Sequence, residues 1–401
     1  MPAVPARIFA LELDVLRGIA AILMIANHVG VQLLPPNMPA GSAGAVAVFV
    51  GAFAPVVFFF ATGFGLALRT SQAGRPAGIA PLLWKALLLV VADQFFFWQR
   101  GIAWGLDFFS FIALASVVVT LVARRRRPEQ VCVGLIFVLM TMRYGLGPAL
   151  RLQLHLGGLV DWLVGVHGVA NVSYPLSPWM VFPLLGFVVG RQYEAAGRQS
   201  ALRRERWLRH GLVVMVGLFG ATLLLAVLKS SFFRWGTVSF AFFVLALGVV
   251  LGAGLLSVRL TMSRPSLARA VALRGVASFA VIPLHYALVD ASAALLPTPV
   301  EFWTYAVLSI VIAAISFRAA ASISAWVSST GFARRRRFLM PALLLLVGVA
   351  AAPLVLTKQA PASAAVLVLV GQLGVAAMLG VRAGKAVPAH LSDSVPRTPA
   401  L

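Results

Sequence analysis

The chain has 401 residues, of which 61% are hydrophobic and 11% are charged, whereas a soluble globular domain carries about 25% charged residues. This composition excludes a soluble protein and predicts an integral membrane protein. The 33 lysines and arginines outnumber the 11 carboxylates. Because the basic residues fall in short clusters between apolar runs, we expect contact with anionic lipid and no nucleic-acid partner.

Membrane-spanning helices are predicted along most of the chain, because about 20 consecutive apolar residues cross a bilayer. We therefore expect an all-α fold, a polytopic transmembrane helix bundle of about 10–12 spans. Twelve segments approach the required length, at 11–34, 44–68, 80–98, 103–123, 130–150, 176–193, 211–229, 237–258, 275–296, 302–323, 338–356 and 362–381. The amphipathic segment around 150–175 is expected to lie flat or to re-enter. The first segment is too long and too polar for a cleaved signal peptide, so we expect it to remain as a span.

The distribution of basic residues predicts the orientation. If the N-terminus is cytoplasmic, 24 of the 33 basic residues fall on the cytoplasmic side, six fall outside and three lie within spans. The positive-inside rule predicts such a bias for an even number of spans with both termini cytoplasmic. The expected location is the plasma (inner) membrane.

The predicted organisation has three parts. Residues 1–330 form a membrane-embedded core of about ten spans, and 338–382 form two additional C-terminal spans. Residues 383–401, rich in Pro, Ser and Ala, form a disordered cytoplasmic tail. The last two spans carry few polar residues, so we expect them to face lipid outside the active core. The single cysteine, Cys132, gives no disulfide framework, and no metal site is expected.

The stretch "LDVLRGIAAILMIANHVG", from Leu13, places ionisable residues in an otherwise apolar span. Arg17 and His28 are eleven residues apart, which is three helical turns plus about 20°, so they share one helix face with Asp14. They are separated by about 16 Å along the axis. With the N-terminus inside, Arg17 lies near the cytoplasmic interface, where a guanidinium can hold a phosphate, and His28 lies deep in the membrane.

These residues also have a purely structural interpretation, which the pattern alone leaves open. Asp14 and Arg17, at positions i and i+3, can form an ordinary interfacial salt bridge. His28 can hydrogen-bond to another helix and contribute only to packing.

Four phrases resemble the acyltransferase 3 superfamily of multi-spanning membrane enzymes. The first is "LDVLRG", in which Arg17 is separated from His28 by ten residues. The second is "FFFATGFGLALR" at 58–69, with Thr62 where Ser is common. "FAVIPLHYALV" at 279–289 resembles a phrase of a late span, with Pro283 as a departure. "YPLSPWMVFPLLGFVVGR" at 174–191 resembles the heparan-glucosaminide N-acetyltransferase-like branch.

The resemblance implies an enzyme, an acyltransferase. It implies transfer of an acyl group, in the first place acetyl, from cytoplasmic acyl-CoA to a hydroxyl of a glycan or small-molecule acceptor reached from the other side. Carbohydrate O-acetylation is the expected process. Acetyl-CoA acts as co-substrate, and no permanently bound cofactor is expected. The sequence sets no acyl chain length, acceptor identity or oligomeric state.

The resemblance also implies roles for individual residues. His28 is the candidate catalytic residue, because its pKa starts near the operating pH. It either deprotonates the acceptor directly or carries the acyl group itself. Arg17 and Arg69 are expected to pair with the CoA phosphates, with Asp14 fixing Arg17. The third span lacks the family's usual arginine-rich run and offers Lys85.

Further polar residues are candidates for the same site. Asn27 precedes His28, and His285 is near the middle of the ninth predicted span. Asp93 or Asp290 can orient the imidazole of His28, as a carboxylate does in a catalytic triad. Each of these carboxylates also has a structural interpretation. Asp107, close by in the sequence, can likewise be a helix cap.

Two other groups of residues have features of a binding or catalytic site. Arg143, Arg151, His155 and Asp161 in predicted outer loops can bind the acceptor or be simply solvated. "HYALVD" spells the His-x4-Asp motif of glycerolipid acyltransferases, but residues five apart on a helix point about 140° away from each other. A His285–Asp290 pair is therefore rejected.

A secondary transporter or flippase is the alternative function, since about twelve spans with scattered ionisable residues also suit transport. Transporters commonly contain internal repeats, and no second copy of "LDVLRG" or "FFFATGF" occurs in the C-terminal half. A family member that only binds its ligands is a further alternative. The presence of both Arg17 and His28 argues against it.

Overall fold

In the computed structural model of the chain, the residues described are 7–39, 41–72, 79–99, 102, 104–146, 162–163, 171–199, 201–227, 238–329 and 361–383. They form a bundle of helices, and among them extended backbone pairs only in an isolated bridge between Leu106 and Val172. The prediction of an all-α polytopic bundle is therefore confirmed. The helices are α1 (Arg7–Leu33), α2 (Ala43–Gly51), α3 (Ala54–Gln72), α4 (Ile79–Gln99), α5 (Phe108–Ala123), α6 (Pro128–Met140), α7 (Leu176–Trp179), α8 (Val181–Gln199), α9 (Ala201–Val227), α10 (Phe240–Ser263), α11 (Pro265–Val271), α12 (Ala277–Leu295), α13 (Phe302–Ser329) and α14 (Pro361–Ala383).

Eight of the twelve predicted spans correspond, within the described residues, to helical segments long and apolar enough to cross a membrane. The segments predicted at 103–123 and 362–381 form α5 and α14, whose apolar parts are shorter. The segment predicted at 176–193 is divided between α7 and α8. The span predicted at 338–356, most of 150–175 and the tail from 384 lie outside the described residues.

Helix α1 is the central helix of the bundle. Leu16, Ala20 and Ile25 are fully buried, and α1 packs against α2, α3, α10, α11, α12 and α13. Polar groups on α1 are therefore held between other helices rather than exposed to lipid, which is the arrangement that ionisable residues at membrane depth require.

The second predicted span, 44–68, is not one continuous helix, since α2 ends at Gly51 and α3 begins at Ala54. Pro55 explains the break, because proline has no N–H for the carbonyl four residues earlier and its ring collides with that carbonyl. Gly51 also lies against α1, where a Cβ would be 2.7 Å from the Asn27 Cβ. The break therefore lies beside His28.

Helices α3 and α8 pack with their backbones in close contact. A Cβ on Gly63 would lie 1.8 Å from the Pro183 carbonyl oxygen, and one on Gly186 would lie 2.1 Å from the Phe60 carbonyl oxygen. Gly190 completes the sequence "GFVVG" on the same face of α8. Small residues four apart allow such an approach in membrane proteins, where dispersion rather than hydrophobicity drives helix association.

Replacing Gly186 with leucine is expected to lower the free energy of unfolding by about 3 kcal/mol, because the backbone of α3 cannot move aside. The matched control is Gly220→Leu in α9, where a Cβ has no heavy atom within 4 Å. The measurement is thermal unfolding followed by size exclusion in detergent. Equal transition temperatures for the two variants would contradict the close packing of α3 on α8.

Candidate functional site

Helix α1 carries the predicted donor-binding and catalytic residues on one continuous face, as the sequence indicates. Asp14 and Arg17 lie near its N-terminal end and His28 lies about 16 Å farther along the axis. Gly65 of α3 faces Arg17, with its ideal Cβ position 3.3 Å from an Arg17 Nη atom. The absence of a side chain at Gly65 leaves room for the guanidinium between the two helices.

Asp14 binds two guanidinium groups. Its Oδ1 accepts from Arg17 Nη1 at 3.1 Å and its Oδ2 pairs with Arg274 Nε at 3.3 Å. The backbone N–H of Leu273 also donates to the Asp14 carbonyl oxygen at 2.9 Å. The segment after α11 therefore folds back onto the start of α1. Sequence reasoning assigned no role to Arg274, whose own sequence surroundings carry no signal for this contact.

Arg69 and Lys85 join the same cluster, because both interact electrostatically with Arg17. Asp14 pairs with Arg17 and Arg274 and also interacts electrostatically with Arg69. Lys85 interacts with Arg17 and Arg69. The structure brings Arg17, Arg69 and Lys85 together, whereas their predicted contact with CoA stays a prediction. An excess of positive charge at the helix end suits a phosphate ligand.

His28 is hydrogen-bonded to a second histidine. Its Nδ1 lies 2.8 Å from Nε2 of His285, and Nδ1 of His285 lies 3.1 Å from the Val281 carbonyl oxygen. A carbonyl only accepts, so Nδ1 of a neutral His285 carries the proton and its Nε2 accepts from His28 Nδ1–H. The proton-free nitrogen of a neutral His28 is then Nε2. Two linked imidazoles set the tautomer, as a carboxylate does in a triad.

Tyr286 adds a third polar contact, with its hydroxyl 3.3 Å from His28 Nε2. Its ring centroid is 4.6 Å from that of His28 and 5.3 Å from that of Phe96. Tyr286 belongs to the phrase "LHYAL", but sequence reasoning gave it no role. His285 is fully buried on α12, whereas Asp290 of the same helix is exposed, which agrees with the rejection of a His285–Asp290 pair.

A cavity of about 400 Å³ opens beside His28, within the range of small-molecule sites. Its walls come from α1, the α2–α3 break, α4, the start of α5, α12 and α14. Polar and aromatic side chains are mixed in its lining, which includes Asn27, Asp107, Tyr174, Tyr286, Phe96 and Gln372. Hydroxyl-rich molecules match such a lining, since aromatic faces cover their C–H groups and polar atoms bind their hydroxyls.

Asp93 caps a helix and does not contact the imidazole of His28. Its carboxylate accepts from the backbone N–H groups of Asp107 at 2.9 Å, Phe109 at 3.2 Å and Ser110 at 2.6 Å. These donors lie at the start of α5, where the first N–H groups have no partner within the helix. The hypothesis that Asp93 orients His28 is therefore wrong in this structure, and His285 occupies that position. Asp107 stands at the N-cap position but makes no capping bond through its side chain.

Replacing Asp93 with alanine is expected to lower the free energy of unfolding by about 2–4 kcal/mol, since three backbone donors lose a charged acceptor. Asp107→Ala is the control, because it removes a neighbouring carboxylate without removing a capping bond. The measurement is the thermal unfolding transition of each variant in the same detergent. A larger loss for Asp107→Ala than for Asp93→Ala would contradict this assignment.

Asn27 connects α1 to the broken second span. Its Nδ2 donates to the Val48 carbonyl oxygen at 2.8 Å, close to the end of α2. The side chain therefore holds the break against α1 and also lines the cavity. Its predicted substrate contact stays a prediction.

The last helix contributes to this site, in contrast to the expectation that the final two spans lie outside the core. Gln372 of α14 is buried, lines the cavity and donates to the Ala92 carbonyl oxygen at 3.0 Å. Gly371 lies against Phe95, at a position where a Cβ would be 2.7 Å from its ring. This polar residue of an apolar helix is therefore bound to the backbone of α4.

The remaining predicted residues lie elsewhere. Arg143 is buried in a π-helical turn, Thr141–Leu146, and its guanidinium lies 5.6 Å from the ring centroid of Tyr144. It does not line the cavity beside His28. Arg151, His155 and Asp161 lie outside the described residues. Within the described residues, no group of three or more His, Cys, Asp or Glu side chains is arranged to hold a metal ion.

Comparison with known families gives one match. The family described as heparan-alpha-glucosaminide N-acetyltransferase, catalytic, matches residues 9–228, which is more than half of the chain. The match includes the helix with Arg17 and His28 and the phrase at 174–191, but it ends before His285. Neither the curated proteins nor the solved structures that were searched include a match.

Proposed function

Because the chain belongs to the heparan-alpha-glucosaminide N-acetyltransferase catalytic family, we propose that it transfers an acetyl group from acetyl-CoA to an acceptor in its membrane-embedded cavity. Family membership makes it an acetyltransferase-type enzyme, and its eight apolar helices make it a multi-pass membrane protein. The family match does not favour the transporter alternative.

The observation that supports this proposal best is the state of His28. In a neutral His28 that donates from Nδ1 to His285, the lone pair is on Nε2, which accepts from the Tyr286 hydroxyl at 3.3 Å. A substrate takes the place of that hydroxyl when Nε2 accepts a proton or an acyl group. The side chain of His28 lines a cavity of about 400 Å³. A base with a fixed tautomer beside a small-molecule cavity is the arrangement that acyl transfer to a hydroxyl or amine requires.

In direct transfer, His28 Nε2 takes the proton of the acceptor hydroxyl or amine as the acceptor atom attacks the thioester carbonyl. The carbonyl–sulfur bond then breaks, and the departing CoA sulfur takes the proton back from Nε2. His28 Nδ1–H keeps its bond to His285 throughout, so the imidazole is not free to rotate. The acetyl group ends on the acceptor, and free CoA leaves.

In the covalent route, His28 Nε2 attacks the thioester carbonyl and the carbon–sulfur bond breaks, so CoA is released as the thiolate and His28, still protonated at Nδ1, becomes an acetyl-imidazolium. The acceptor then attacks the acetyl carbonyl, the carbon–nitrogen bond to Nε2 breaks, and the proton of the acceptor passes through Nε2 to the CoA thiolate, which leaves His28 neutral. Both routes use the same nitrogen and the same bond to His285, so they differ only in the order of the two substrates. An acetylated His28 trapped before acceptor addition would distinguish them.

The donor is assigned to the cationic end of α1. Arg17, Arg69 and Lys85 are assigned to the phosphates of CoA, and Asp14 holds Arg17 in place. About 16 Å along α1 then separates Arg17 from His28, a span suited to the extended pantetheine arm. We place this end at the cytoplasmic face of the inner membrane, with both termini cytoplasmic, because of the basic-residue bias.

The acceptor is proposed to carry a hydroxyl or an amine on a sugar-sized body. The sequence resemblance to the acyltransferase 3 superfamily favours a glycan hydroxyl, whereas the family name describes transfer to the nitrogen of glucosamine. Either nucleophile must lose a proton, so a histidine base serves both. An acceptor panel that includes both glucose and glucosamine distinguishes transfer to a hydroxyl from transfer to an amine.

The test uses full-length protein in nanodiscs with radiolabelled acetyl-CoA and that acceptor panel. Acceptor-dependent release of CoA together with transfer of label is the expected result. His28→Ala protein that elutes and unfolds like the wild type serves as the control, and it should transfer no label. If the wild-type protein neither binds nor consumes acetyl-CoA or longer acyl-CoAs, the enzyme assignment fails. Binding without turnover would indicate a family member that only binds its ligands.

A further inference from the structure

A second cavity, of about 920 Å³, lies against a different face of α1. Ile22 of α1 lines it, and this residue is about 120–140° around the helix axis from Arg17 and from His28. The other walls are the segment from α11 into α12 and the outer helix α13. This second cavity is therefore separated by α1 from the cavity beside His28.

The lining of the second cavity combines three arginines with small apolar residues. Arg269 and Arg274 come from the segment around α11, and Arg318 comes from α13. On α13, Ala314, Arg318, Ala321 and Ala325 follow the spacing i, i+4, i+7 and i+11, which is one helix face. Because alanine side chains are short, this face leaves a groove between α13 and its neighbours.

Arg318 is the unusual member of this lining. It is exposed and lies inside the apolar segment Phe302–Val327, where a charge without a counter-ion is costly. Within the described part of the chain its side chain makes no hydrogen bond or ion pair. Ile310, Ile315 and Trp326 on the same helix are also exposed among the described residues. An anionic ligand that reaches this face of α13 would supply a counter-ion for Arg318.

We propose that the second cavity binds an anionic phospholipid. The phosphate pairs with Arg269, Arg274 and Arg318, and an acyl chain lies along the alanine face of α13. Basic pockets between transmembrane helices bind acidic lipid head groups in this way. The arginine distribution places this end of the bundle at the cytoplasmic leaflet, which carries anionic lipid.

The position of the cavity favours a lipid over the acetyl donor. An occupant lying against Ile22 is on the wrong face of α1 to present a thioester to His28. The cavity borders α13, many of whose side chains are exposed among the described residues, whereas the cluster of Arg17, Arg69 and Lys85 lies on the His28 face. Arg274 contacts both sites, because it also pairs with Asp14 at 3.3 Å. The lipid proposal does not depend on the proposed acetyl transfer.

The test is native mass spectrometry of the full-length protein, delipidated in detergent and titrated with phosphatidylglycerol or with phosphatidylcholine of the same acyl chains. We expect tighter binding of phosphatidylglycerol. Arg318→Gln should weaken it about fivefold, the usual contribution of one basic residue near an acidic lipid. Arg264→Gln, an exposed arginine outside the cavity, should leave binding unchanged.

A second pair of variants tests the groove without changing charge. Ala321→Leu fills the groove and should lower the affinity for phosphatidylglycerol, whereas Ser322→Leu, at the neighbouring exposed position outside the cavity, should not. Equal binding of the two lipids, or binding unaffected by both Arg318→Gln and Ala321→Leu, would overturn the proposal. Displacement of the lipid by acetyl-CoA would assign the cavity to the donor instead. None of these readouts requires enzymatic activity.

Discussion

Replacing His28 with alanine is expected to lower kcat for acetyl transfer by about 10²- to 10⁴-fold, the usual contribution of a general base. The KM for acetyl-CoA should change little, because the donor phosphates are assigned to the cluster around Arg17, which lies about 16 Å away along α1. The measurement is steady-state transfer of label with each substrate varied in turn. Comparable losses in kcat and in donor affinity would argue that His28 serves the fold rather than the reaction.

His285 tests the same hydrogen-bond chain from its other end. Its substitution with leucine removes the acceptor of His28 Nδ1–H, so the proton is free to occupy Nε2 and block the base. We expect kcat to fall by roughly 10- to 100-fold, less than for His28→Ala because the base itself remains. In His285→Gln the amide oxygen can accept the same hydrogen bond, so this variant should keep a higher kcat than His285→Leu.

A positioning role for His285 also predicts a change in pH dependence. The acidic limb of the kcat/KM profile reports the pKa of the free-enzyme base, and it should move in His285→Leu, because the environment of the imidazole changes. Asp290→Asn, an exposed substitution on the same helix, should leave the profile unchanged. A lower kcat with an unmoved profile, unrescued by glutamine, would indicate that His285 matters only for packing.

The parts of the fold that depend on local sequence could be predicted from it. Hydropathy identified the spans because each is long enough to cross the bilayer alone. Helical periodicity placed Arg17 and His28 on one face of α1, since their spacing is fixed by the helix itself. The break between α2 and α3 also has a local cause in Pro55, although the apolar composition of 44–68 concealed it.

The contacts between distant segments could not be predicted in this way. His28 and His285 are 257 positions apart, and only the packing of α12 against α1 brings them together. Gln372 and Arg274 likewise gain their partners from helices far away in sequence. The carboxylate expected beside His28 was Asp93 or Asp290. The start of α5 has backbone donors that bind the Asp93 carboxylate instead, and Asp290 is exposed. Analogy with a catalytic triad predicted that a polar group would orient the imidazole of His28, but it did not predict that this group would be a histidine.

Replacing Arg17 with glutamine is expected to raise the KM for acetyl-CoA by about 10- to 100-fold, which corresponds to the loss of one or two charge-assisted hydrogen bonds. Glutamine keeps the length and polarity of the side chain but not its charge. Asp14 retains its contact with Arg274 in this variant, so the start of α1 should stay folded. The kcat at saturating donor should change little, because His28 and His285 are untouched.

A truncated donor shows whether the higher KM of Arg17→Gln results from lost contacts with the phosphates of CoA. Acetyl-pantetheine has the same thioester but lacks the phosphates of CoA, so wild type and Arg17→Gln should use it with equal kcat/KM. Arg264→Gln controls for a general loss of positive charge, since that arginine is exposed and is not among the charges that act on Asp14. If Arg17→Gln impaired both donors equally, Arg17 would act through the structure of α1. The proposed division of this helix into a donor end and a reaction end would then be wrong.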